Sequence, residues 1–116
     1  MLNTIRAPRL LLIVLPLLAL TLLTVLFFQG LAFSDLILAR GDTYAYFYPY
    51  WDARHAALRM GELPLWAPEL FMGVPLLANP QLGTFYPPNW PLMSLPAPDA
   101  IRYSILLHVV WAGFGV

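Results

Sequence analysis

The chain has 116 residues, of which 60% are hydrophobic and only 10% charged, and its formal net charge is zero. This composition argues against an ordinary soluble domain and favours the bilayer as solvent. The six arginines are scattered, which argues against nucleic-acid binding. The absence of cysteine excludes disulfides, thiolate metal sites and cysteine nucleophiles.

An apolar segment near the N-terminus predicts a transmembrane helix over residues 10–33. No charge occurs between Leu10 and Ser34. The stretch to Phe28 is long enough to cross a hydrocarbon core, which needs about 20 residues. Pro16 inside it predicts a kink, because proline is tolerated in membrane helices.

The alternative for this segment is a cleaved secretory signal. Arg6 and Arg9 would form its basic region, and residues 30–32 give an acceptable cleavage site. A signal core of about 7 to 15 residues is shorter than this apolar run, which favours the membrane anchor. The same arginines favour a cytoplasmic N-terminus over residues 1–9, although Arg40 beyond the segment weakens the charge bias.

Residues 34–100 are predicted to form a loop outside the cytoplasm. An interfacial helix over about 43–60 is expected in it, ended by Gly61. Its aromatic stripe either lies at the membrane interface or packs on the rest of the loop. The stripe consists of Tyr44, Phe47, Tyr48, Trp51, His55 and Leu58.

The second half of the loop, residues 62–99, holds nine of the twelve prolines and is called the proline-rich half below. The residue before each proline is restricted to extended conformations, so long helices are not expected there. Because leucine and aromatic residues fill the gaps between prolines, the segment is expected to be ordered and irregular. Residues 101–116 are apolar again and predict the start of a second, truncated transmembrane helix.

Asp42 is the first candidate for chemistry. It follows Gly41 and precedes the predicted helix, where a carboxylate could act as a general base or bind a cation on a substrate phosphate. Its position before Thr43 equally suits a helix N-cap, because aspartate is a favoured capping residue. Spacing alone favours the cap.

The charged residues of the helix have two interpretations. Asp52 could pair with His55 at a spacing of three residues, and His55 and Arg59 share a face. A solvated charge cluster would explain all of them. Alternatively, Arg54 and Arg59 could bind a lipid phosphate, because a guanidinium forks onto phosphate oxygens.

The proline-rich half also offers neutral polar groups that could hold the hydroxyls of a sugar. These are Asn79, Gln81 and Tyr86, with the rings of Trp66, Phe85 and Trp90 available for apolar sugar faces. Turn formation explains an asparagine before a proline equally well.

Together these motifs resemble the YfhO-like bacterial membrane proteins, which are related to the GT-C glycosyltransferases. The likeness extends from Gly41 to about Gly115 and depends on many short motifs in order. They are Gly41-Asp42, Phe47-Tyr48-Pro49, Gly61-Glu62-Leu63-Pro64-Leu65-Trp66, Phe71-Met72-Gly73, Ala78-Asn79-Pro80-Gln81 and Phe85-Tyr86-Pro87-Pro88-Asn89.

The resemblance implies an all-α integral membrane protein of GT-C-like fold, multi-pass in the cell membrane, of which this chain is the N-terminal fragment. Such enzymes move a sugar from a polyprenyl-phosphate carrier in the membrane to an extracytoplasmic acceptor. Asp42 matches their essential acidic residue, so the resemblance favours catalysis over capping.

The substrate would be bound by Arg54, His55, Arg59, Asn79, Gln81 and Tyr86. Thr43 and Tyr44 leave no adjacent second acid after Asp42, so the dependence on a divalent cation is left open. The alternative function is a non-catalytic polytopic membrane protein, such as a transport or envelope-assembly factor, with a docking loop.

Overall fold

The computed structural model describes residues 6–115, and most of them are helical. Helix α1 covers Arg6–Phe27 and is followed by the single turn α2, Gln29–Ala32. Within the described residues one segment, Leu10–Phe27, is long and apolar enough to cross a membrane, with a mean hydropathy of 2.9. A signal sequence near an N-terminus meets the same criterion. The coarse prediction of a mostly helical chain with one such helix is thereby confirmed.

The helical backbone of α1 continues through Pro16. Two threonines donate hydrogen bonds to backbone carbonyls one turn earlier, because an apolar helix offers their hydroxyl groups few other acceptors. Thr21 Oγ1 donates to the Leu17 carbonyl at 2.8 Å, and Thr24 Oγ1 donates to the Leu20 carbonyl at 2.9 Å. Both hydroxyl groups are therefore satisfied within the helix itself.

The described chain divides into two compact units. The first contains residues 6–35 and 105–115. In it, Leu20 of α1 packs so closely on Gly113 that a Cβ atom at Gly113 would collide with the leucine side chain. A glycine at this position lets the two helical segments approach closely.

The second unit, Leu36–Ser104, is called the loop unit below. Its helical stretch begins with a π-helical segment, Thr43–Phe47, and continues as α3, Tyr48–Arg59. The helix ends in a Schellman motif at Gly61, whose φ is +76°. Gly61 N–H donates to the Leu58 carbonyl and Glu62 N–H to the Ala57 carbonyl, both at 3.0 Å.

The aromatic stripe of this helix packs mainly inside the loop unit. Tyr48 and Trp51 are 7% and 6% exposed, and Tyr50 beside them is also buried. Tyr44, at the start of the stripe, is 60% exposed. The structure therefore favours the packing interpretation for the middle of the stripe over contact with lipid.

The proline-rich half contains only short elements among the described residues. A two-residue antiparallel hairpin pairs β1, Trp66–Ala67, with β2, Val74–Pro75. Two 3-10 segments follow at Pro80–Leu82 and Pro87–Leu92. Leu76 and Leu82 anchor this irregular backbone, because each is only 1% exposed.

Helix α4 covers Ala97–Phe114 and begins four residues before the predicted start at 101. Pro98 and Asp99 stand in its first turn, where proline has a suitable φ and a carboxylate favours the positive end of the helix dipole. Asp99 also pairs with Arg102 at 3.4 Å. The apolar run predicts a start at Ile101, whereas the helix begins in the more polar residues before it.

Candidate functional site

Asp42 is exposed at the entry to the π-helical segment. Gly41 before it has φ +57°, a left-handed conformation that glycine adopts without strain. Asp42 itself has helical backbone angles, φ −66° and ψ −18°, and its side chain makes no capping hydrogen bond. An N-cap residue usually has an extended backbone, and its side-chain oxygen accepts a hydrogen bond from a backbone N–H in the first turn of the helix. The capping interpretation of Asp42 is therefore not supported by its geometry.

The turn after Asp42 is tied to the proline-rich half. Asn79 Nδ2 donates to the hydroxyl oxygen of Tyr46 at 2.7 Å, and Tyr46 lies one helical turn beyond Asp42. Asn79 Oδ1 accepts a hydrogen bond from Gln81 N–H at 3.0 Å, which caps the first 3-10 segment. Asn79 thus forms the turn that was one of its two interpretations from the sequence, and it also brings its segment to the end of the helix that carries Asp42.

A groove of about 440 Å³ opens beside Asn79. Of the residues predicted to hold a sugar, Asn79, Tyr86 and Phe85 line this groove. Gln81 is exposed on the same short 3-10 segment and is not part of the lining. Trp66 packs against Gly73 in the hairpin instead. The predicted polar and aromatic residues are therefore only partly brought together here.

A second cavity, of about 560 Å³, lies at the C-terminal end of α3, and we call it the Arg59 cavity. His55 Nδ1 lies 3.1 Å from the Met93 carbonyl oxygen, which can only accept, so Nδ1 carries the proton in this contact. Predicted binding residues and a predicted sugar-stacking ring meet here. The lining includes His55, Leu58, Arg59, Trp90, Met93 and Ser94.

Arg54 lies inside the loop unit and is only 1% exposed. Its Nη1 donates to the Leu82 carbonyl, and its guanidinium carbon stands 4.2 Å from the centre of the Trp51 ring. Burial lowers the pKa of Arg54 to about 10. The proposed contact of Arg54 with a lipid phosphate requires correction, because a side chain enclosed by the loop cannot reach a phosphate outside it.

The predicted pairing of Asp52 with His55 is also corrected. Asp52 Oδ1 accepts a hydrogen bond from Ala97 N–H, the first residue of α4, at 3.3 Å. His55 is engaged by the Met93 carbonyl. Each side chain satisfies a backbone group more than thirty residues away. The spacing of three residues along α3 does not predict these distant partners.

Asp42 and Arg59 stand at opposite ends of one helical stretch. At about 1.5 Å per residue, the seventeen residues that separate them span roughly 25 Å. The phosphate and the reacting sugar carbon of one substrate are joined directly. They lie too close together for Arg59 to contact the phosphate while Asp42 acts at the carbon. Arg59 and His55 therefore belong to a candidate site separate from Asp42.

The donor groups of the described residues do not form a cluster suited to a metal ion. Among residues 6–115, no three His, Cys, Asp or Glu side chains stand close enough together to hold a metal ion. Asp42 supplies a single carboxylate, whereas magnesium and calcium sites in proteins combine several oxygen ligands. The described residues therefore do not supply a divalent-cation site at Asp42.

Comparisons of this chain with protein-family models, with curated proteins and with solved structures find no match.

Proposed function

We propose that this chain belongs to a membrane glycosyltransferase that moves a sugar from a polyprenyl-phosphate carrier to an acceptor outside the cytoplasm, with Asp42 as its general base. The geometry of Asp42 is the main support for this proposal. Its carboxylate is exposed and does not cap the helix that follows it. A π-helical segment directly after it adds support, because π-turns often occur at functional sites.

The reaction is a displacement at the anomeric carbon of the sugar. Asp42 accepts the proton of the acceptor hydroxyl while the hydroxyl oxygen forms a bond to that carbon. The bond from the same carbon to the phosphate oxygen breaks, and polyprenyl phosphate leaves with the electron pair. Asp42 then returns its proton to water. The acceptor gains the sugar with inversion at the anomeric carbon.

The groove beside Asn79 is the proposed position for the sugar or the acceptor. Asn79 and Tyr86 place polar side chains in its lining, and Phe85 is a ring that is 73% exposed. Carbohydrate sites combine such groups, because sugars have polar edges and apolar faces. The hydrogen bond between Asn79 and Tyr46 keeps this groove at the Asp42 end of the helical stretch.

The test is Asp42→Asn in the intact protein, assayed in membranes with radiolabelled polyprenyl-phosphate hexoses and pentoses. Asparagine preserves the shape of aspartate but cannot accept the proton, so transfer should fall by about 100-fold or more. Asp52→Asn is the matched control. Its Oδ1 can still accept from Ala97 N–H, and activity should stay within about twofold of the wild type.

Two results would contradict the catalytic proposal. Wild-type transfer by Asp42→Asn would eliminate Asp42 as the base. An equal loss in both variants, accompanied by reduced membrane insertion, would indicate a structural role for the carboxylates.

A docking function is the second candidate, because the hairpin presents apolar side chains to the outside. Phe71 and Met72 at its tip are 68% and 101% exposed, and both have positive φ. Exposed apolar side chains on a strained backbone are typical of a site that contacts another protein. If docking is the only function, Phe71→Ser with Met72→Ser should abolish assembly in cells, whereas Asp42→Asn should have no phenotype.

A further inference from the structure

The Arg59 cavity is not explained by the chemistry proposed for Asp42, because the two lie at opposite ends of the helical stretch. Its volume, about 560 Å³, is within the range of sites for small molecules. Arg59 and His55 come from successive turns of α3, and Trp90 and Met93 approach from the second 3-10 segment and its C-cap. A ligand in this cavity would therefore be separate from the groups that react at Asp42.

Charge defines one end of that ligand. Arg59 is exposed, and among residues 6–115 no carboxylate forms an ion pair with it. Glu62, the acidic residue nearest to it along the chain, is itself exposed beyond the Gly61 turn. A guanidinium that is not neutralised by the protein is well suited to a phosphate, which it can bind through two parallel hydrogen bonds.

Apolar walls define the other end. Leu58 and Met93 contribute hydrocarbon and thioether surface, and the Trp90 side chain is 58% exposed. The indole is held in place, because its Nε1 donates to the Thr84 carbonyl at 3.2 Å. A free phosphate ion would leave most of this lining in contact with water, whereas an apolar chain would cover it.

We propose that the Arg59 cavity binds a phosphate-bearing amphiphile, with the phosphate on Arg59 and the apolar portion against Leu58, Trp90 and Met93. This site is distinct from the reaction at Asp42. It fits the phosphate end of a membrane lipid as a stabilising ligand and does not require the lipid to react.

Binding is tested with the intact protein in neutral maltoside micelles, using dodecyl phosphate as the probe and calorimetry as the measurement. We expect saturable binding that Arg59→Gln weakens at least tenfold. Arg40→Gln is the matched control, because Arg40 is also exposed but lies before the helical stretch. It should bind the probe as the wild type does. Equal melting temperatures of the variants will show that the cavity is folded.

Two further experiments locate the bound probe and identify the class of ligand. A dodecyl phosphate brominated on its chain should quench tryptophan fluorescence, and Trp90→Phe should remove most of that quenching. Inorganic phosphate at the same concentration should not bind measurably. Inorganic phosphate binding as tightly as the amphiphile would overturn the amphiphile assignment in favour of a free phosphate. Unchanged binding by Arg59→Gln, or no saturable binding, would overturn the site.

Discussion

Arg54 shows how a single side chain can organise the loop unit at a cost. Enclosure in the loop unit disfavours the charged form of Arg54 and lowers its pKa to about 10. Burial is the cause of this shift. The hydrogen bond to the Leu82 carbonyl and the contact with the Trp51 ring act in the opposite direction. These contacts join α3 to the first 3-10 segment.

We expect Arg54→Lys to lower the free energy of unfolding by about 1 to 3 kcal/mol, although the charge is conserved. Lysine lacks the planar guanidinium that lies over Trp51 and donates to Leu82. Thermal unfolding followed by tryptophan fluorescence measures the effect. Arg59→Lys, at an exposed position of the same helix, should change stability by less than about 0.5 kcal/mol. Equal stability of the Arg54 and Arg59 variants would contradict the structural role of Arg54.

The hairpin is the element in which backbone conformation and packing are most tightly coupled. Phe71, Met72 and Gly73 have φ values of 48°, 65° and 110° in succession. A Cβ atom on Gly73 would stand 2.7 Å from Cζ2 of the Trp66 ring. The turn therefore requires glycine for two reasons, its positive φ and the ring that covers it.

Gly73→Ala is expected to destabilise the hairpin by about 1 to 3 kcal/mol, because the added methyl group displaces Trp66 from its place over the turn. Limited proteolysis should then cleave between β1 and β2 faster than in the wild type. Gly30→Ala is the control, since no atom lies within 4 Å of a Cβ added there. Unchanged protease resistance of Gly73→Ala would show that the turn tolerates the methyl group.

For the whole molecule, the side of the membrane on which the loop unit lies decides which substrates it can meet. The arginines before α1 predict that residues 34–100 lie outside the cytoplasm. The structure provides a good reporter position, because Glu62 is exposed and the chain has no native cysteine to interfere.

A single cysteine in Glu62→Cys should therefore react with a membrane-impermeant maleimide in intact cells. The expected labelling equals that obtained after lysis, because the probe reaches an external loop without permeabilisation. A cysteine in place of Asn3, on the predicted cytoplasmic side, provides the opposite control. Labelling of Glu62→Cys only after lysis would reverse the topology and exclude an extracytoplasmic acceptor.

Local sequence signals determined much of the architecture. The apolar run from Leu10, the helical stretch over about 43–60 with its stop at Gly61, and the short elements of the proline-rich half all depend on residues close together in the chain. The separation of Asp42 from Arg59 is also implicit in the sequence, because helical rise fixes the distance between two positions on one helix. Chemical type alone groups these residues into one site, whereas the distance along the helix separates them.

Only the tertiary structure decided which side chains are enclosed and which partners they take. Arg54 donates to a carbonyl 28 residues away, His55 to one 38 residues away, and Asp52 accepts from a position 45 residues away. Irregular, proline-rich backbone provides those partners, and it has no periodicity from which its path could be predicted. Asp42 stands at its predicted place because that place depends on the helix entry alone. The groove beside Asn79 is formed by the irregular segment itself, and the Arg59 cavity exists only where that segment folds back onto α3.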